Sequence, residues 1–159
     1  MKSSNTQPSL NQLSDLMQIR YCALFLGVLF LLLGLGGFAS GLSAELPGVH
    51  PGPGYGFVLG IFPTNYFHNA IGLLVGLWGL AAFTSLSGAI AFNQAFAIIY
   101  ATQAIFGLLP YTKTLFGTMP LYGNNIWLSL LTAGIAYYFG FVKPGRLRRE
   151  TGLSANASS

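Results

Sequence analysis

Four stretches of this chain carry no charged side chain: about residues 21–44, 66–86, 89–109 and 125–142. Each is nearly continuous in apolar residues, and none alternates apolar and polar positions as a barrel strand facing lipid and lumen would. A helix needs roughly 20 apolar residues to cross about 30 Å of hydrocarbon. The pattern therefore predicts four transmembrane helices, the last slightly short and extended by interfacial residues at its ends.

The segments between them read as breaks. "ELPGVHPGPGYG", Glu45–Gly56, holds three prolines and four glycines and predicts a loop with little regular helix. Pro63 biases Phe62 away from the helical region, and Thr64 or Asn65 then caps the second span. "SLSG", Ser85–Gly88, predicts a tight turn, and Pro110 ends the third span. The expected architecture is an all-α four-transmembrane-helix bundle made of two helical hairpins. A polar N-terminal segment, 1–20, precedes the membrane domain, 21–142. A tail, 143–159, follows, basic at first and then disordered.

Composition points the same way. Of 159 residues, 53% are hydrophobic and 6% charged, where a soluble domain carries about 25% charged residues. Mean hydropathy is +0.60. A bilayer is the solvent such a chain suits. The first span exceeds the 7–15 apolar residues of a secretory leader and is expected to stay as an anchor. Cys22, the single cysteine, has no intramolecular partner and reads as a small apolar residue.

The charges set orientation. With four spans both termini share one side, which holds Lys2, Arg20, Lys143, Arg146, Arg148 and Arg149; the other side holds Lys113 and Glu45. The positive-inside rule makes both termini cytoplasmic. The bacterial inner membrane and the thylakoid membrane both satisfy this. The net charge of +4 does not imply nucleic acid, because the basic residues are few and terminal. "KPGRLRRE", Lys143–Glu150, reads as a topology signal that can also touch anionic headgroups.

Within lipid, helices associate by close approach over small residues. Gly27, Gly34, Gly37 and Gly41 offer such a face on the first span, and Gly72, Gly76 and Gly79 on the second. His68 lies four residues before Gly72 and is expected to head that stripe, facing the bundle. Asn65, His68, Asn69, Gln103, Asn125 and Ser129 fall in the outer half and form a candidate polar cluster. Asn93 and Gln94, near the opposite end of the third span, are expected to join helices.

Chemistry is scarce. No Asp, Glu, Lys or Arg lies inside a span, though proton-coupled carriers usually need one. His50 and His68, with Glu45 as the only nearby carboxylate, fall short of the three or four ligands of a settled metal site. No nucleophile motif, phosphate loop or carboxylate pair is present. His68 reads first as an interfacial polar residue bonded to Gln103 or Asn125. Two alternatives are an axial ligand to a chlorophyll or haem and a pH-sensitive group. No cofactor is required, although chlorophyll, carotenoid or haem would suit a glycine groove. A non-catalytic accessory or assembly subunit of a larger membrane complex is the leading expectation, packed through the glycine faces. A pigment- or haem-binding subunit comes second and a small-molecule channel or transporter third.

"FPTNYFHNAIGLLVGLWGL", Phe62–Leu80, resembles the signature of the small four-span bacterial membrane proteins classed as domain-of-unknown-function family 4383. Pro63, Asn65, His68, Asn69 and Gly76 match it. "FAIIYATQAIFGLLP", Phe96–Pro110, and "PLYGNNIWLSLLTAG", Pro120–Gly134, resemble its third and fourth spans. The resemblance covers roughly Tyr21–Val142 and implies a membrane fold, without an activity. Family members often carry a further histidine where this chain has Gly72. Their last span often opens on an acid and closes that stretch with a histidine, where this chain has Asn125 and Ser129.

Overall fold

The computed structural model describes residues 9–39 and 55–157. Helix α1 runs Leu10–Ala39, a strand pair β1 (Gly56–Val58) and β2 (Phe62–Thr64) follows, and α2 runs Tyr66–Ala82. Helices α3 (Leu86–Leu108) and α4 (Asn124–Tyr137) form the second hairpin. A π-helical turn, Tyr138–Val142, then leads into α5, Lys143–Ala157. Gly41, His50 and Glu45, with most of the Pro/Gly-rich stretch, lie outside the described residues.

Several boundaries differ from those expected. Helix α1 starts well before Tyr21, inside the segment expected to be merely polar. The cause is a capping box: Ser9 N–H donates to Gln12 Oε1 (3.0 Å), and Gln12 N–H donates to Ser9 Oγ (3.3 Å). Helix α2 ends at Ala82 rather than near 86, because Ser85 already caps α3 through Gly88 N–H (3.1 Å). Helix α5 continues to Ala157, where a disordered tail was expected. Lys, Arg, Leu and Glu are good helix formers, and Pro144 follows directly on the π turn Tyr138–Val142, an irregularity in the helical ladder.

The strands were not expected either. β1 and β2 pair antiparallel, Gly56 opposite Thr64 and Val58 opposite Phe62. Left-handed Leu59 (φ 55°) and Gly60 (φ 72°) turn the chain between them. Three-residue strands are too short to show alternation.

Three helices are long and apolar enough to cross a membrane: α1 with 30 residues, α3 with 23, and the continuous rod Asn124–Glu150 with 27. α2, with 17 residues, is a shorter apolar helix. Large side chains such as Leu32, Leu74, Ile98 and Leu131 are exposed along these helices, which water would penalise and lipid would not. The chain is an integral membrane protein.

Helix α1 packs most extensively against α2, and glycine makes that possible. A Cβ on Gly27 would sit 2.8 Å from Leu80 N; one on Gly76 would sit 2.6 Å from Leu31 N, and one on Gly79 2.6 Å from Gly27 Cα. Gly34 meets the Asn69 carbonyl oxygen and Leu73 N in the same way, both at 2.8 Å. The glycine faces of the two helices are therefore spent on each other inside the chain, not held open for a partner. Against this pair α3 lays Phe92, Phe96 and Tyr100. Phe30 meets Phe96 and Tyr100 edge-on at 5.1 and 4.7 Å, and Phe96 stacks on Tyr100 at 4.0 Å.

The end of the bundle where α1 begins is clamped by charge. Arg20 donates from Nε to Phe83 O (2.7 Å) and from Nη2 to Thr84 O (3.2 Å), closing the C-terminus of α2. Lys143 Nζ pairs with Asp15 Oδ1 at 2.8 Å and also donates to Gln18 Oε1. Asn93 and Gln94 do join helices: Asn93 Nδ2 donates to Ile19 O (3.1 Å) and Gln94 Nε2 to Gly140 O (3.0 Å).

Candidate functional site

The opposite end, which carries the strand pair and the 109–123 connection, holds most of the polar residues picked out above. Asn65 is the N-cap of α2: its extended backbone lets Oδ1 accept from His68 N–H at 2.8 Å. Its Nδ2 donates to Thr118 O (2.7 Å), tying α2 to the 109–123 connection. Asn125, in the first turn of α4, donates from Nδ2 to both Pro63 O (2.7 Å) and Pro120 O (2.9 Å). Asn124 adds a bond to Ile61 O (3.0 Å). Three asparagines thus knit the strand pair, the connection and two helices. Carbonyls that no ladder or helix satisfies need such donors when buried.

The buried stripe of α2 is Asn69, Gly72, Gly76, Gly79 and Ala82. Asn69, not His68, heads it; His68 lies one position round the helix and is half-buried. Asn69 Oδ1 accepts from Thr64 Oγ1 (2.5 Å). Gly37 leaves the room for that amide, since a Cβ there would overlap the Asn69 side chain.

Between these residues lies a cavity of about 40 Å³. Phe30, Gly34, Val58, Phe62, Pro63, Thr64, His68, Asn69, Gly72, Tyr100 and Asn125 are among its walls. Six elements meet here: α1, both strands, α2, α3 and α4. Ligand pockets for drug-sized molecules run to roughly 300–1,000 Å³, so a chlorophyll or haem macrocycle does not fit inside. An axial role for His68 toward this cavity is therefore not supported. Among the described residues no three His, Cys, Asp or Glu side chains gather as a metal site would require.

Two further members of the expected cluster, Ser129 and Gln103, do not line the cavity. Ser129 is buried on α4. Gln103 is not part of the cluster: it lies on the other side of α3, in an outward groove with Thr102, Phe106, Leu115 and Met119. One helical turn places Gln103 near Asn69 in depth but not in direction, which depth alone could not reveal. Thr64, by contrast, was a cap candidate and became the partner of Asn69. Asp15 and Gln18, which hold Lys143, were passed over; their spacing of three on a helix face was the available signal.

Tyr122, beyond the spans, has a buried hydroxyl with no partner. Burial, and then repulsion from Tyr55, raise its phenol above the usual 10.0.

No curated protein and no solved structure is significantly similar to this chain. A family model does match: domain of unknown function DUF4383, over residues 20–142. That interval starts at the Arg20 clamp and ends with the π turn, taking in the asparagine lock, the cavity and the whole α1–α2 seam. The chain belongs to the DUF4383 family.

Proposed function

We propose that this is a non-catalytic four-span protein, both termini cytoplasmic, that serves as an accessory or assembly subunit of a larger membrane complex. Helix α2 supplies the fourth span. Its 17 residues rise about 26 Å, and the Asn65 cap and the Phe83–Ser85 turn extend it toward both surfaces. Six basic residues against one, read from the sequence, favour the cytoplasmic placement of the termini.

The observation that carries the partner reading is the outward face of α3 and α4. Two grooves meet there at Ile98. One, of about 370 Å³, is almost wholly apolar and has Ala97, Ala101, Ala133 and Gly134 in its floor. A Cβ added to Gly134 would touch nothing within 4 Å. The other carries Gln103, whose side-chain amide makes no hydrogen bond among the described residues. Small residues admit a neighbouring helix, and an amide in hydrocarbon binds a polar group across the interface. The α1–α2 seam is already filled, so this face is where a partner span fits. The fitting occupant is a transmembrane helix of another subunit that brings a hydrogen-bonding side chain level with Gln103.

The test is recovery of a complex from native membranes in a mild detergent. A photo-crosslinker placed at Ala101 should trap a membrane partner. Gln103→Leu or Gly134→Leu should lower its recovery several-fold, as a loss of about 1 kcal/mol in helix association implies. A lone monomer with no adduct from Ala101 would overturn the proposal.

A further inference from the structure

The cavity beneath the strand pair has unmet polar groups in its wall. Thr64, Asn65 and Asn125 all have partners. Two atoms do not: His68 Nδ1 and Asn69 Nδ2 are both buried without a hydrogen bond. Asn69 is 2% exposed, and both residues line this one cavity. Turning the Asn69 amide over does not help, because Thr64 Oγ1 then holds the nitrogen and leaves the oxygen unmet. The Pro63 carbonyl accepts from Asn125 and has a second lone pair, but His68 Nδ1 makes no hydrogen bond to it.

A buried amide or imidazole nitrogen without a partner is costly because it has given up its hydrogen bonds to water, and proteins usually meet such groups with ordered water. The volume of about 40 Å³ exceeds the roughly 10–15 Å³ that a water molecule needs. Apolar cavities of that size stay dry, whereas this one offers a donor pair and a ring nitrogen. We propose that the cavity is a hydration site, one or two waters bridging His68 Nδ1 and the Asn69 amide beneath the strand pair. The water accepts from the amide N–H and donates to the unprotonated ring nitrogen, so the imidazole proton resides on Nε2. His68 is then held as part of a hydrated polar plug, distinct from the partner-facing groove on the far side of α3.

The test uses the whole wild-type protein in lipid nanodiscs, with nitrogen-15 at histidine and asparagine. Cross-relaxation between water and the Asn69 side-chain amide protons is expected, together with a His68 Nδ1 shift typical of an unprotonated, hydrogen-bonded nitrogen. Both signals should be lost in Asn69→Leu, which fills the cavity with an apolar group, while Gln103→Leu should leave them unchanged. Because the water signals are read on the wild type, a poorly folding variant does not remove the test. Absent water contacts at Asn69, with xenon entering the cavity instead, would mean that the site is dry and would overturn the proposal. A proton on Nδ1 would also overturn it.

Discussion

At the scale of single residues, side chains that are missing matter as much as those that are present. At Gly79 α1 and α2 touch backbone to backbone: the atom that a Cβ would strike is Gly27 Cα at 2.6 Å, which cannot rotate aside. Gly79→Leu is expected to cost more than the roughly 1–3 kcal/mol of ordinary overpacking. Gly134→Ala, facing open space, should stay within about 0.5 kcal/mol of wild type. Thermal unfolding in detergent separates the two. Tyr122 gives a pH effect of known sign. Its folded form holds the phenol proton more tightly than the unfolded chain, so the stability it contributes is complete below pH 10 and is lost as pH rises above 10.0 through the higher folded value. Tyr122→Phe should flatten the stability profile above pH 10, measured by unfolding at a series of pH values. At this scale the glycines of the seam and the Asn65 cap were legible, because their spacing and cap chemistry are local. The place of His68 was legible in part: it lines the inner cavity, as a bundle-facing residue should, but Asn69 takes the fully buried position above Gly72, a choice that packing against α1 decides.

At the scale of elements, each apolar run falls on a helix, and the helix ends were not readable. Apolar runs mark where lipid begins, whereas helices stop where their terminal backbone groups find partners. The Ser9–Gln12 box starts α1 in polar sequence, and beyond the end of α2 Arg20 takes the carbonyls of the C-cap Phe83 and of Thr84. That contact also lays the guanidinium 5.1 Å from the centre of the Phe83 ring. Replacing the charge while keeping the stem, Arg20→Met, leaves those carbonyls unpaired and should cost about 1–3 kcal/mol. Hydrogen exchange should then rise first at the end of α2 and the Phe83–Ser85 turn; a uniform rise along the bundle would contradict a local clamp. The strand pair was beyond reading because its three-residue strands are too short to show alternation, and part of what holds it, Asn124 and Asn125, lies some sixty residues away.

At the scale of the whole molecule, the order of helices came from hydropathy, but the joints between distant helices did not. The Asp15–Lys143 pair shows why: neither residue lies in an apolar run, and nothing local links them. Its two sides are unequal, Lys143 being 10% exposed at the side chain and Asp15 37%. Asp15→Ala strands a buried ammonium and should cost roughly 1–3 kcal/mol. Lys143→Met leaves a carboxylate that can turn to water and should cost about 1 kcal/mol or less. The double variant should lie above the sum of the two losses, and a chemical-unfolding cycle measures the difference. Lys143 also reaches Gln18, 125 residues back along the chain. A ribosome delivers the start of α1 long before it delivers Lys143, so the first helix enters the bilayer with its acidic residue unmatched. The contact that locks the start of α1 can form only after the segment carrying Lys143 has emerged, so it comes after every apolar helix of the bundle has been made.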